Sequence, residues 1–94
     1  MPKEFALHQN YPNPFNPTTT IRFELPKATK IYLVIYDILG REVTRLKQEQ
    51  LGAGYHQVQW DSRDQDGRDL SSGLYFARLA TPEYSKTMKM LLLK

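Results

Sequence analysis

The feature that most constrains this fold is a proline-rich stretch at residues 10–17, which reads NYPNPFNP and is called the entry segment below. Its three prolines fix φ at about −65° and remove three backbone donors, so the stretch fits neither a helix nor an inner strand. The Asn side chains can hold turns, and we expect Tyr11 and Phe15 to be buried. We interpret the entry segment as an ordered crossing that leads into a β domain, with a disordered linker as the alternative.

Composition indicates one small folded domain. The chain has 94 residues, of which 40% are hydrophobic and 12% aromatic, which is enough for one modest core and too much for a disordered chain. No apolar stretch approaches the roughly 18 residues of a membrane span, and the lack of cysteine excludes disulfides. The formal charge is +3, but no two Lys or Arg are adjacent, which argues against nucleic-acid binding.

Alternating hydrophobicity predicts strands and no helix. Residues 19–25 alternate between apolar and polar side chains, whereas residues 30–37 are apolar on both faces and are predicted to form a central strand. In residues 41–51 the apolar Val43 and Leu46 are three positions apart, which predicts a bulge, with a helical turn as the alternative. Strand patterns recur about every 12 residues between turn signals, which predicts an all-β sandwich. Further strands are predicted at residues 5–8, 55–60, 74–80 and 84–94.

The polar loop at residues 61–72 is the candidate metal site. Its carboxylates have a calcium-like spacing and precede a glycine. Arg63 and Arg68 can neutralise them, however, and the bidentate glutamate that ends a calcium loop is missing. We therefore expect Asx turns and no bound metal or other cofactor. The weak metal candidates are Asp61, Asp64 and Asp66.

The remaining polar side chains do not suggest an enzyme. His8 and His56 are not part of any local motif that would make one of them a base for Ser71 or Ser72. We expect Trp60 to anchor the core. The six tyrosines are expected at the core margin, although a carbohydrate-binding platform would use the same residue type.

The last strand-like stretch, residues 84–94, is apolar on both faces. One face carries three apolar side chains and the other carries two, respectively Met88, Met90 and Leu92, and Leu91 and Leu93. Such a strand is costly to leave exposed. It is therefore either an inner strand or a strand whose second face meets a partner.

Five short motifs follow one another along the chain. They are NYPNPFNPTTTI at residues 10–21, YDxxGRxV at 36–43, WD at 60–61, SGxY at 72–75 and KxLxLK at 89–94. Each is weak alone, but together they resemble the type A C-terminal sorting domain of the type IX secretion system over nearly the whole chain. The middle of the chain also resembles the immunoglobulin-like domain of the flagellar hook-capping protein.

The resemblance implies a seven-stranded immunoglobulin-like, fibronectin III-like sandwich that acts as a non-catalytic sorting signal. The implied partners are a cargo protein fused upstream, an outer-membrane translocon and a cell-surface sortase. The implied location is the cell surface or the medium, reached through the periplasm. The residues implied in recognition are Gly73, Tyr75, Lys89, Leu91, Leu93 and Lys94, whereas Pro12, Asn13 and Pro14 match the entry motif and are expected to be structural.

The expected organisation is a single sorting domain at residues 5–94. Residues 1–4 are expected to be a leader, or residues added to an excised piece. In this interpretation the final strand can offer its edge for strand addition by a partner. Two other functions remain open, namely an accessory carbohydrate-binding or adhesive module of a secreted enzyme, and a flagellar hook-cap scaffold domain.

Overall fold

Seven antiparallel strands pack as two sheets, and the computed structural model describes all 94 residues. The strands are β1 (Ala6–Leu7), β2 (Thr19–Leu25), β3 (Thr29–Tyr36), β4 (Glu42–Leu51), β5 (Gly54–Trp60), β6 (Gly73–Ala80) and β7 (Ser85–Leu92). One sheet has the order β1-β2-β5 and the other β4-β3-β6-β7. The predicted all-β sandwich of about seven strands is confirmed. No helix is long and apolar enough to cross a membrane.

The core lies between the two sheets and follows the predicted alternation. Every second side chain of β2 points inward, and its buried side chains meet those of β3 across the sandwich. Trp60 closes the core at the end of β5 and is only 2% exposed, which confirms its expected role as an anchor. The fully buried aliphatic side chains of β2 and β3 are Ile21, Leu25, Ile31, Leu33 and Ile35.

The four-stranded sheet has two edges, β4 and β7, and β3 lies in its interior as predicted. Along β4 the register with β3 skips Leu46 and Val43, so each is an extra residue in its strand. Both extra side chains pack against the core. The predicted bulge is therefore confirmed, and there are two bulges. Because each is an extra residue in the strand, Val43 and Leu46 can both point inward although they are three positions apart.

β7 is an edge strand, so the inner-strand alternative for residues 84–94 is wrong. Its first face is buried, with Met90 and Leu92 fully inaccessible to solvent. On its second face Leu91 is half-buried, and Leu93, one residue past the end of the strand, is 50% exposed. The strand thus contributes to the core through one face and leaves the other face partly open.

Candidate functional site

The five motifs recognised in the sequence lie at one end of the sandwich, which is called the motif end below. It comprises the entry segment, the start of β4, the loop at residues 61–73 and residues 89–94. The entry segment reaches this end because it leaves β1 and returns to β2 by way of the edge of β7. The contacts among these parts define the candidate site.

Buried polar side chains hold the entry segment in place. The Nδ2 group of Asn10 donates to Oγ1 of Thr19 at 2.9 Å and to the carbonyl of Pro12 at 3.1 Å. The hydroxyl of Thr19 donates in turn to the Pro12 carbonyl at 2.9 Å. Both side chains are buried, where an unpaired polar group would be costly. The predicted ordered crossing is confirmed, but Tyr11 is 67% exposed, so its expected burial is wrong.

The entry segment covers part of the free edge of β7. The Phe15 N–H donates to the Leu91 carbonyl, and the Leu93 N–H donates to the Phe15 carbonyl, each at 3.0 Å. The Oδ1 atom of Asn13 accepts from the Leu91 N–H at 2.9 Å. Gln9 adds a 2.7 Å bond from Nε2 to the Lys89 carbonyl. Four backbone groups at this edge are therefore satisfied by the entry segment and its preceding residue.

Three aromatic rings from three of the motifs pack against one another in the core at the motif end, namely those of Phe15, Trp60 and Tyr75. The ring of Phe15 lies 5.6 Å from that of Trp60, and the ring of Tyr75 meets Trp60 edge-on at 5.8 Å. Trp60 donates from Nε1 to the Arg63 carbonyl at 3.0 Å, and the Tyr75 hydroxyl donates to the Ser71 carbonyl at 2.8 Å. Burying aromatic rings whose polar atoms are satisfied is strongly stabilising. This cluster couples the entry segment to the loop at residues 61–73.

The structure divides the residues implied in recognition into two groups. Tyr75 is only 6% exposed, and Gly73 begins β6 opposite Leu92 with φ +152°. These two residues therefore contribute to the site through core packing and backbone conformation, respectively. Of the other four, Lys89, Leu93 and Lys94 are open to solvent and Leu91 is half-buried. The three residues of the entry motif, Pro12, Asn13 and Pro14, are also open to solvent.

Asp64 holds the loop at residues 61–73 by its own hydrogen bonds. Its Oδ1 atom accepts from the N–H groups of Asp66 and Arg68, each at 2.9 Å, which is the predicted Asx turn. Arg63 Nε lies 3.3 Å from an oxygen of Asp69 and 3.9 Å from one of Asp61. No group of three or more His, Asp or Glu side chains is placed to hold a metal ion.

A second carboxylate fixes the turn between β3 and β4. Asp37 Oδ1 accepts from the N–H groups of Leu39 at 2.9 Å and Arg41 at 3.0 Å, while Gly40 adopts φ +81°. The backbone N–H of Arg41, with further help from its guanidinium and from the Leu39 N–H, lowers the pKa of Asp37. The Gly40 N–H also donates to the Asp37 carbonyl at 3.0 Å, so the predicted turn with a left-handed glycine is confirmed.

The histidines serve local contacts. His8 pairs with Glu24, and His56 Nε2 lies 2.8 Å from the Gly52 carbonyl. Ser72 instead accepts from the Lys94 N–H through Oγ at 2.9 Å. No hydrogen bond links a histidine to either Ser71 or Ser72. What the motif end offers a partner is therefore its surface shape and its hydrogen-bonding groups.

Sequence reasoning missed the residues that fasten the entry segment, namely Asn10, Thr19 and Gln9. The alternation of β2 does contain a signal for one of them, because Thr19 occupies an inward position in line with Ile21. A polar residue at an inward position needs a buried partner, and Asn10 provides it.

A family described as the FlgD Ig-like domain matches residues 10–82. The chain belongs to this family. A search of curated proteins gave no significant match.

Parts of three solved structures are also similar to this FlgD Ig-like domain. Dimeric latent PorU from Porphyromonas gingivalis shares 20% identity with a TM-score of 0.76, over 96% of this chain and 9% of PorU. PorZ, an essential surface component of the type IX secretion system of the same organism, shares 25% identity with a TM-score of 0.61, over 96% of this chain and 11% of PorZ. FLGD from P. aeruginosa shares 27% identity with a TM-score of 0.62, over 79% of this chain and 58% of FLGD. The chain thus spans only part of each of these proteins.

Proposed function

We propose that this domain is a non-catalytic sorting signal that directs a fused upstream cargo through the outer-membrane translocon of a type IX secretion system. Its destination is the cell surface or the medium, where a sortase acts on the cargo. The observation that carries the proposal is the contact between the two ends of the motif series, in which Asn13 and Phe15 hydrogen-bond Leu91 and Leu93. Similarity to PorZ along 96% of the chain supports it.

The strand β7 favours this function over a flagellar one. Membership of the FlgD Ig-like family makes a hook-cap scaffold the second candidate, but the family match ends at residue 82, before β7 begins at Ser85. The likeness to FLGD covers 79% of the chain, whereas those to PorU and PorZ cover 96%.

The test is export of a reporter fused upstream of the domain in a host that has the type IX machinery. Deleting residues 89–94 would remove the buried Met90 and Leu92 and unfold the domain, so solvent-exposed side chains are the better target. The triple substitution Lys89→Ala, Leu93→Ala and Lys94→Ala keeps every backbone bond to the entry segment. We expect the parent fusion outside the cell and the triple variant in the periplasm, with unchanged melting temperatures.

The control replaces exposed residues outside the five motifs, two lysines and one large apolar residue, with Lys3→Ala, Lys27→Ala and Tyr55→Ala. We expect its export to equal that of the parent. A parent fusion that stays folded in the periplasm would contradict the sorting function. Normal export of the triple variant would leave the function standing but remove these three side chains from the signal.

A further inference from the structure

The excess positive charge of the chain is concentrated on the outer face of the four-stranded sheet, called the basic face below. Because antiparallel partners point to the same side of a sheet, the register assigns the outward positions. Four of them carry Lys or Arg and one carries Glu, an excess of three that matches the formal charge of +3 for the whole chain. The basic residues are Lys30, Arg45, Arg78 and Lys89, and the acidic one is Glu42, which is 2.9 Å from Arg45.

Apolar side chains run through the middle of the basic face. Tyr36 lies beside Phe76, and Leu74 lies beside Leu91, in adjacent strands of the sheet. Leu74 is 39% exposed, and Tyr32 carries the ammonium of Lys30 at 5.5 Å from its ring centroid. The row runs from Tyr32 on β3 through Phe76 on β6 to Leu91 on β7 and is roughly 22 Å long at the usual strand rise and spacing. An apolar row with a charged rim is the composition of a protein interface.

The outer face of the three-stranded sheet is different. Its central outward positions carry Arg22 and Glu24, which offset each other, and Gln57 lies opposite Arg22. The exposed Tyr55 stands beside Glu24 rather than in an apolar row. One sandwich thus has one electrically balanced outer face and one outer face that is apolar and basic.

We propose that the basic face is the surface through which this domain binds its export machinery, and that the partner is a protein surface with an apolar centre and an acidic rim. The inference rests on the proposed sorting function and names its recognition surface. Charge complementarity decides the partner, because an acidic rim would pair with Arg78, Lys30 and Lys89 around the apolar row. The basic face also continues into the exposed tail, since Lys89 and Leu91 occupy its β7 side.

The experiment uses the same reporter export assay with matched pairs of substitutions. Arg78→Glu reverses a charge beside the apolar row of the basic face, and Arg22→Glu reverses one at the middle of the opposite face. Tyr36→Ser and Tyr55→Ser form the corresponding aromatic pair. We expect the two basic-face variants to lower export about tenfold or more and the two controls to leave it unchanged. Melting temperatures identify any unfolded variant, for which Lys30→Glu or Tyr32→Ser is substituted.

Each outcome decides the proposal. Export of all four variants at the parent level overturns the basic face as a docking surface while the sorting function stands. Loss of export with Arg78→Glu but not with Tyr36→Ser indicates a polyanion, not an apolar protein surface, and also overturns the proposal. Failure of the parent fusion to leave the periplasm removes the sorting function, and the docking surface with it.

Discussion

The two edges of the four-stranded sheet are protected in different ways. The β4 edge has two bulges, at Val43 and Leu46, and a string of charged and amide side chains. The bulges and these side chains discourage pairing with another strand and belong to β4 itself, although at its start Gln65 of the polar loop also bonds the Val43 carbonyl and the Arg45 N–H, each at 3.1 Å. The β7 edge instead has its last backbone groups bonded to Asn13 and Phe15, which lie far away in sequence.

A strand that carries its own bulges and charged side chains keeps its edge from pairing whatever the rest of the chain does. An edge that is covered by another segment stays protected only while that segment is held in place. The entry segment covers the end of the β7 edge and is called the cover below. It is anchored by Phe15 in the aromatic cluster and by Asn10 and Thr19. Alternate residues of an edge strand direct their backbone groups outward, so Thr87, two positions before Lys89, faces the same way beyond the reach of the cover. β7 is thus closed at its end and open along its beginning.

The largest expected effect follows loss of the ring that anchors the cover. Trp60→Ala removes the contact with Phe15 and leaves a cavity, so we expect the free energy of unfolding to fall by about 3–5 kcal/mol. Urea denaturation measures it, and hydrogen exchange should show the Leu91 and Leu93 amides losing protection before those of β4. Tyr55→Ala, at an exposed position of the same strand, should change stability by about 0.5 kcal/mol or less. An equal effect of both substitutions would show that Trp60 does not anchor the cover.

Backbone strain beside the cover gives the next effect. Gly73 pairs with Leu92 and has φ +152°, a region that other residues rarely adopt, although a Cβ there would meet no atom within 4 Å. Gly73→Ala should therefore destabilise the domain by about 1–3 kcal/mol through the backbone alone. Gly52, which has no positive φ and equally open surroundings, is the matched control. Gly52→Ala should be neutral or slightly stabilising by denaturation, and a similar loss at both positions would rule out this explanation.

The strands could be predicted from the sequence because the side chains of β2 alternate between core and solvent residue by residue. β3 is apolar on both faces, as expected of an inner strand. The sequence also predicted the irregularity of β4, where the odd spacing of Val43 and Leu46 marks the two bulges. It left open whether β7 is an inner or an edge strand, since apolar residues on both faces are consistent with either position. The cover was missed because hydrogen bonds such as that from the Leu91 N–H to Asn13 join residues 78 positions apart and leave no local pattern.

A single hydrogen bond of the cover gives a smaller effect. Asn13→Ala frees the Leu91 N–H at an exposed position, so we expect a loss of about 0.5–1.5 kcal/mol at most. Hydrogen exchange at Leu91 should accelerate while the β4 amides are unaffected. Asn16→Ala is the matched control, because Asn16 is also exposed and also precedes a proline. Unchanged exchange at Leu91 would mean that the carbonyl of Phe15 and its neighbours hold the edge without Asn13.

The smallest expected effect is a difference between the two edges in how their amide signals respond to pH. The turn that leads into β4 is held by a carboxylate whose folded-state pKa is lowered, chiefly by the Arg41 N–H, whereas the β7 cover is held by the amide of Asn13, which does not titrate. The contribution of Asp37 is therefore fully present above the unfolded-state pKa of about 3.9 and is lost as pH falls through the lower folded-state value. In an NMR titration we expect the amide signals of Leu39 and Arg41 to shift in acid and those of Leu91 and Leu93 to stay. Asp37→Asn should abolish the first shift, and a concerted shift at both edges would show instead that acid loosens the whole sandwich.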